Sequence, residues 1–488
     1  MKPVLLTFPG NRENMPTMPV AAVVLASFLR EHKIPVEILD TRIEDYKSTD
    51  FNNYSLIGIS AKSGEQTSFA VELCKFIRAK CNVPIVWGGP HPSFFPEQTC
   101  GSELADFVAI GEGEETLLEL VMHIQGKKKL EGIKGLAYKK DSKVIVNEDR
   151  EFLDMEKLGM KAYDLIKLKK YQDSVKYFKM ETSRGCPYRC DFCYTHQFHK
   201  RKWRSKSVGK VIGEMKHIMK EYGVNKFGFC DDNFFVDKKR AMDIARKIIE
   251  ERLNIEVYTS ARANYCAHFS EDELELLSKS GFKYIAMGAE SGSQDLLNMI
   301  HKDISREDII MSAKNCIAHG ITPVYSFVIG IPGEKPEDVN KTIDIYLELK
   351  KISPKVEIDG FFLFTPYPGT PIYYKAIEKG YKPFDTLEGW ASWKFSDLSN
   401  VAWADAKTKK RLQVLAKLIL FLFIKERLNS YGTTYKKEKL SKWRQRILWD
   451  VGSYILGLDA NYRLKNKVFG FGYEWILFGK IALTQFKI

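Results

Sequence analysis

The sequence predicts an α/β protein: two consecutive parallel-sheet domains followed by a mainly helical tail. Three observations carry that expectation. Short apolar runs alternate with amphipathic helical patterns from the N-terminus to about residue 135, as expected of a parallel sheet covered by helices. Six more strand–helix repeats occupy residues 172–395, which suits a partial (β/α)6 barrel. The segment 396–488 is basic and rich in aromatic residues, with an apolar run from Leu412 to Ile424 broken only by Gln413 and Lys417. At 488 residues the chain is too long for one ordinary core. Its 44% hydrophobic and 28% charged content is that of a globular protein.

In the first domain, 1–135, the expected strands are Val4–Phe8, Val36–Asp40, Leu56–Ser60, Pro84–Gly89 and Phe107–Gly111, with helices from Pro19, Thr67 and Glu115. Ligands of parallel sheets sit beyond the carboxyl ends of the strands. Those ends carry Ser60-Ala-Lys-Ser63, Gly88-Gly-Pro-His-Pro-Ser93 and Gly111-Glu-Gly-Glu114, where small residues let a large ligand approach the backbone. Residues 136–171 read as a connector containing a hairpin. In the barrel, the strand starting at Tyr177 delivers a cysteine loop. Later strands end at Asp231-Asp232-Asn233, near Arg262, at Glu290 and in the Val328–Gly333 run. Ser270 with Glu273 forms a capping box.

The segment Glu181-Thr-Ser-Arg-Gly-Cys-Pro-Tyr-Arg-Cys-Asp-Phe-Cys-Tyr194 places Cys186, Cys190 and Cys193 at C-x3-C-x2-C spacing. Three thiolates on so short a loop can hold three corners of a four-iron cluster and leave the fourth iron open. A zinc site with His196 or His199 is the alternative. Structural zinc sites usually need four ligands with paired C-x2-C spacing, and no second C-x2-C occurs.

This loop resembles the signature of radical S-adenosylmethionine enzymes. The resemblance implies that Cys186, Cys190 and Cys193 hold a 4Fe-4S cluster whose open iron chelates S-adenosylmethionine, with Phe192 against the adenine. Asp231, Asp232 and Asn233 suit its ammonium, Arg262 and Glu290 its ribose and carboxylate, and Val328 and Gly330 its adenine. The first domain resembles the Rossmann-like cobalamin-binding domain of one subclass, through Gly-Gly-Pro-His-Pro and Ile-Gly-Glu-Gly-Glu. Ser60, Ser63, Gly88, Gly89, Gly111, Glu112 and Gly113 are then the expected cobalamin contacts. The D-x-H-x-x-G motif that supplies a cobalt ligand in many cobalamin proteins is absent from Phe8–Asn14, and His91 is expected to be a structural or corrin-edge residue.

The resemblance implies carbon methylation, with oxidation or cyclisation as the runner-up. An RNA methylthiolating enzyme would need a cysteine-bearing first domain and a terminal RNA-binding barrel; a cobalamin sensor would need no S-adenosylmethionine motifs. Between positions 401 and 488, 18 Lys and Arg face 6 Asp and Glu, a surplus of 12 against +13 for the whole chain. Basic and aromatic composition there suits a lipid-like small-molecule substrate or peripheral membrane contact, with nucleic acid the weaker partner. The basic stretch Lys200–Arg204 reads either as solvated loop charge or as a substrate-orienting element. An external electron donor such as flavodoxin or ferredoxin is expected. So is a cytoplasmic location, since nine cysteines without a disulfide pattern suit a reducing compartment and Met1–Pro9 lacks a signal-peptide core.

Overall fold

The computed structural model describes residues 2–11, 17–159, 161–172, 176–416, 460, 462–467 and 469. Most of the basic tail lies outside that set, including Phe421, Phe423, Trp443, Trp449, Phe471, Trp475 and Phe478. The helix expected over Leu412–Ile424 is described only as far as residue 416. Among the described residues no helix is long and apolar enough to cross a membrane.

The chain divides into two compact units. The first comprises Met1–Ile248 with Tyr367–Tyr374 and Lys382–Phe395. Its main sheet is built from β1 (Val4–Phe8), β2 (Val36–Asp40), β3 (Leu56–Ser60), β4 (Ile85–Gly88), β5 (Phe107–Ala109), β6 (Leu136–Lys140) and β7 (Lys143–Val146), in the order 2-1-3-4-5-6-7. Strands β1 to β5 pair in parallel, with Val4 opposite both Val36 and Leu56. Their near-continuous apolar runs follow from burial on both faces. The order reverses between β1 and β3, which opens a crevice at their carboxyl ends.

Two features extend this sheet beyond the sequence-drawn boundary at residue 135. The hairpin expected in the connector is real, turning at Asp141 and Ser142 with positive φ, but it adds antiparallel to β5 as sixth and seventh strands. Leu387, from far along the chain, is fully buried in the same core as Ile57, Ile85 and Trp87. Gln98 Nε2 donates to the Phe384 carbonyl at 3.0 Å and Ser102 Oγ to Glu388 at 2.7 Å, so residues 382–395 strap onto the first sheet. No local pattern distinguishes such a strap from the rest of the barrel sequence; only burial of Leu387 and Trp390 does.

The first unit also holds β8 (Phe178–Met180), β9 (Ser183–Arg184), β10 (Arg204–Ser205) and β11 (Lys226–Phe229). Strands β8 and β11 are parallel, and β9 and β10 form a short antiparallel ladder. The single strand expected over Tyr177–Ser183 is thus two, broken at Glu181 and Thr182. The second unit contains β12 (Glu256–Ala261), β13 (Phe282–Glu290), β14 (Thr322–Ile329) and β15 (Glu357–Leu363), each parallel to the next. One helix between them begins as the sequence predicts, with Ser270 and Glu273 exchanging both hydrogen bonds of a capping box; Ser305 and Asp308 form a second box that the sequence reading did not name.

Candidate active site

The cysteine loop is closed at its base by the β9–β10 ladder, in which Arg184 stands opposite Arg204. Like charges facing each other across a ladder are destabilising, so this pair needs anions. The loop after β5 supplies them. Glu112 receives both terminal nitrogens of Arg204 at 2.7 and 2.9 Å and lies 3.3 Å from Arg184. Glu114 receives Arg184 at 2.8 Å, and Glu181 receives Arg184 Nε at 2.9 Å. The Leu153 backbone N–H donates to Glu112 at 3.2 Å. Burial opposes ionisation of Glu112, but the Arg184 and Arg204 guanidiniums hold its carboxyl below the usual range. Glu112, expected at the corrin, has its carboxylate committed to joining the first sheet to the cysteine loop.

Inside the loop, Gly185 has φ +84, and a Cβ there would lie 2.2 Å from the Lys202 carbonyl. Only glycine allows that crossing. Cys193 N–H donates to the Cys190 carbonyl at 3.1 Å, which folds the two cysteines into one turn. Cys190 is buried while Cys186, Cys193 and Phe192 are half-buried. Burial pushes the Cys193 thiol up to about 11, so a bound metal must stabilise its thiolate. Among the described residues no three His, Cys, Asp or Glu side chains are set to hold one metal ion. The zinc alternative gains no support from that arrangement. A four-iron cluster takes each thiolate at a separate iron and does not require them to converge on one point.

The turn after β11 places three polar residues differently. Asp231 is buried and accepts from the Thr182 backbone N–H at 2.8 Å, the Thr182 hydroxyl and the Ser183 hydroxyl at 2.6 Å. It anchors the strand leading into the cysteine loop, and burial raises its carboxyl above the usual range. Asp232 accepts from Gly185 N–H at 2.9 Å and Thr195 Oγ1 at 3.2 Å, and burial pushes it up to about 6. His199 Nε2 lies 3.7 Å from Asp232, and burial lowers that imidazole to about 4. Asn233 is 2% exposed, yet neither atom of its amide has a partner. A buried amide left unsatisfied is costly and marks the place for a polar ligand.

The carboxyl ends of β3, β4 and β5 are tied to each other. Ser63 Oγ and His91 Nδ1 are 2.9 Å apart, the Ala61 carbonyl accepts from His91 N–H at 3.3 Å, and Ser93 Oγ accepts from Gly111 N–H at 2.9 Å. Gly89 has φ +97, and a Cβ there would stand 2.6 Å from the Ala61 carbonyl. His91 is fully buried, Nε2 has no partner, and burial pushes its pKa down to about 3. Its ring meets Phe95 and Trp390 edge-on at 5.6 and 5.3 Å. A row of aromatics runs from the strap toward the cysteine loop: Trp390, Trp393, Tyr367 and Tyr194, with centroids 5.7 to 5.8 Å apart. Ser60, Gly88, Gly111 and Gly113 are half-buried around this crevice. These small, backbone-rich strand ends and the orphaned His91 nitrogen fit a large ligand with polar side groups.

The second unit carries the remaining expected residues. Glu290 sits at a register shift at the end of β13 with φ +62, a bulge that re-aims its side chain. Lys302 Nζ donates to it at 2.7 Å, both side chains 9% exposed. Arg262 donates to the Lys302 and Asp303 carbonyls. Gly330 has φ +83 and its N–H donates to Glu334, whose carboxyl burial pushes up to about 8. Val328 is half-buried. Lys302 and Trp390 had no sequence signal, and the stretches that contain Glu114, Arg184 and Arg204 stood out without showing their pairing, because each contribution depends on a register or a distant partner.

Comparison with known proteins agrees with this arrangement. Residues 180–345 match the Radical SAM superfamily and residues 14–121 the B12 binding domain. The chain is similar to an uncharacterised methyltransferase of Pyrococcus horikoshii, 35% identical over 372 residues, covering 74% of this chain and 78% of that protein. It is 24% identical over 437 residues to the cytidylyl-2-hydroxyethylphosphonate methyltransferase of Streptomyces wedmorensis, covering 76% and 80%. It is 28% identical over 254 residues to the anaerobic magnesium-protoporphyrin IX monomethyl ester cyclase of Synechocystis, covering 51% and 50%. Its fold is similar to that of the cobalamin-dependent S-adenosylmethionine radical enzyme OxsB, with TM-score 0.74, 18% identity and coverage of 99% of this chain and 75% of that one.

Proposed function

The chain belongs to the cobalamin-binding radical S-adenosylmethionine enzymes, and on that premise we propose that it methylates an unactivated carbon of an apolar small molecule. The observation that carries the proposal is the ion network of Arg184, Arg204, Glu112 and Glu114, which fastens the cysteine loop to the first sheet's ligand crevice within one unit. A methyl carrier and a radical source must act on the same carbon, so their supports must be rigidly joined.

When bound, the cluster with S-adenosylmethionine supplies one-electron cleavage and hydrogen abstraction, and cobalamin supplies the methyl group. Cys186, Cys190 and Cys193 would hold the iron. Asp231 fixes the strand entering their loop, Asp232 secures Gly185 and Thr195, and the Asn233 amide offers a donor and an acceptor to the ligand. Ser60, Ser63, Gly88, Gly89, Gly111 and Gly113 would approach the corrin through backbone and small side chains. The Tyr194, Tyr367 and Trp393 rings, tilted and edge-on to one another, offer an apolar wall that would exclude water from a reactive site. That wall, with the basic tail, supports an apolar or lipid-like substrate.

The test is anaerobic reconstitution with cobalamin. S-adenosylhomocysteine formed together with 5′-deoxyadenosine is the expected product pair. 5′-Deoxyadenosine alone, with corrin bound and substrate consumed, would favour oxidation or cyclisation, the reaction type of the Synechocystis relative. A Cys190→Ala variant that kept its cluster would overturn the site assignment.

A further inference from the structure

The basic stretch Lys200–Arg204 divides in the structure. Arg204 turns inward to Glu112, whereas Lys200, Arg201 and Lys202 remain exposed. These three occupy a tight turn seated on the cysteine loop. Arg201 Nε donates to the Pro187 carbonyl at 3.1 Å, and the Lys202 carbonyl crosses Gly185 so closely that no side chain fits there. Pro187 and Gly185 flank Cys186. Arg189, between Cys186 and Cys190, is exposed on the same loop.

The turn is held in a costly shape. Lys200 and Arg201 have φ +48 and +59 in succession, a left-handed conformation that is costly for non-glycine residues. Backbone bonds from Lys200 to Gln197, Arg201 to His196 and Lys202 to His199, at 3.3, 3.0 and 2.8 Å, maintain it. Lys200 pairs with Asp149 at 2.5 Å, both side chains more than half exposed. Arg201 and Lys202 have no ion pair among the described residues. Phe152 lies 6.0 Å from the Lys202 ammonium. A merely solvated charge run needs no such fixed geometry.

We propose that Lys200, Arg201 and Lys202, with Arg189, form the docking surface for an acidic protein that carries one electron at a time. The inference rests on the reading that the cysteine loop holds a cluster. The carrier's reduced flavin or iron–sulfur centre would lose one electron and the cluster gain it, with no bond formed or broken. An acidic carrier is the complementary occupant, because opposite charge raises the encounter rate at a surface whose turn contacts Pro187 and Gly185 of the cysteine loop.

The experiment uses the reconstituted full chain and its Lys200→Asp/Lys202→Glu variant, which keeps the Arg201 bond to Pro187; aspartate tolerates the left-handed position. Bleaching of the cluster absorbance is followed after mixing with a reduced acidic flavodoxin, and separately with dithionite. The expected result is a rate with flavodoxin at least about tenfold lower in the variant at low ionic strength. The wild-type rate should fall toward the variant's as salt rises from about 50 to about 300 mM, while dithionite bleaches both alike. Equal rates with flavodoxin at low salt would overturn the docking surface. If dithionite bleaches neither protein, the cluster reading itself fails. Should charge reversal block cluster loading, Lys200→Asn/Lys202→Gln replaces it with a smaller expected loss in the same direction. Binding of anionic vesicles by the wild type and not the variant, with flavodoxin rates unchanged, would assign the patch to a membrane and overturn the proposal.

Discussion

Replacing Glu112 with glutamine should disconnect the cysteine loop from the first sheet. The carboxylate is 7% exposed and is shared by Arg204 and Arg184, themselves 18% and 11% exposed and opposite each other in the β9–β10 ladder. Removing one member of a buried ion pair costs about 3 to 5 kcal/mol, because the remaining charges stay buried and uncompensated. Two features reduce that figure: Glu114 still neutralises Arg184, and the glutamine oxygen still accepts one hydrogen bond. A loss of about 3 kcal/mol for the first unit remains. The assay is urea denaturation of the apoprotein followed by circular dichroism, run beside Arg204→Met and the double variant. Because both residues serve one contact, the double variant should cost at least about 1 kcal/mol less than the sum of the singles. The pH dependence has a definite sign. The folded carboxyl is held below the ordinary range, so its contribution is fully present above the unfolded carboxylate pKa and is lost as pH falls through the folded value. The gap between wild type and Glu112→Gln should therefore narrow on acidification below about pH 4. A variant as stable as wild type at pH 7, or strictly additive losses, would refute the reasoning.

Gly185→Ala should abolish cluster loading, read as iron per chain, because its Cβ would collide with the Lys202 carbonyl; normal iron content would show that the turn can move aside. Trp390→Ala, removing a fully buried ring against His91 and Phe95, should destabilise the first unit by about 3 to 5 kcal/mol and weaken cobalamin binding measured by corrin absorbance after ultrafiltration. Unchanged affinity would separate the strap from the crevice. Asp232 is raised to about 6 in the folded apoprotein, so the folded state holds the extra proton between the ordinary aspartate range and pH 6. Lowering the pH from 7.5 to 5 should thus shift the stability difference between wild type and Asp232→Asn in favour of wild type, and a pH-independent difference would discount that carboxyl.

The C-x3-C-x2-C loop, the alternating strands of the first domain, the Ser270 capping box and the glycine-rich strand ends were legible in the sequence because each is a local pattern with a local physical cause. The same locality explains what such patterns leave open. The Asp141–Ser142 turn announces a hairpin but not that the hairpin will extend the sheet beside β5. Glu112 and Asp231 stand at strand ends where ligand contacts are expected, yet their carboxylates are taken by Arg204 and by Thr182 and Ser183. An isolated acid at a strand end does not reveal which donors the tertiary fold will bring to it.

The sequence by itself determined the ligand chemistry: three thiols spaced for an open-iron cluster, and small residues where backbone must meet a large cofactor. Only the tertiary structure decided how those parts are joined. The register of a two-rung ladder sets Arg184 against Arg204, and that repulsion requires the carboxylates of a loop some 70 residues earlier in sequence. Burial of Leu387 and Trp390 draws residues 382–395 back onto the first sheet. Both outcomes depend on long-range partners, charge neutralisation in one and apolar burial in the other, and neither has a period or a spacing that a local reading of the chain could detect.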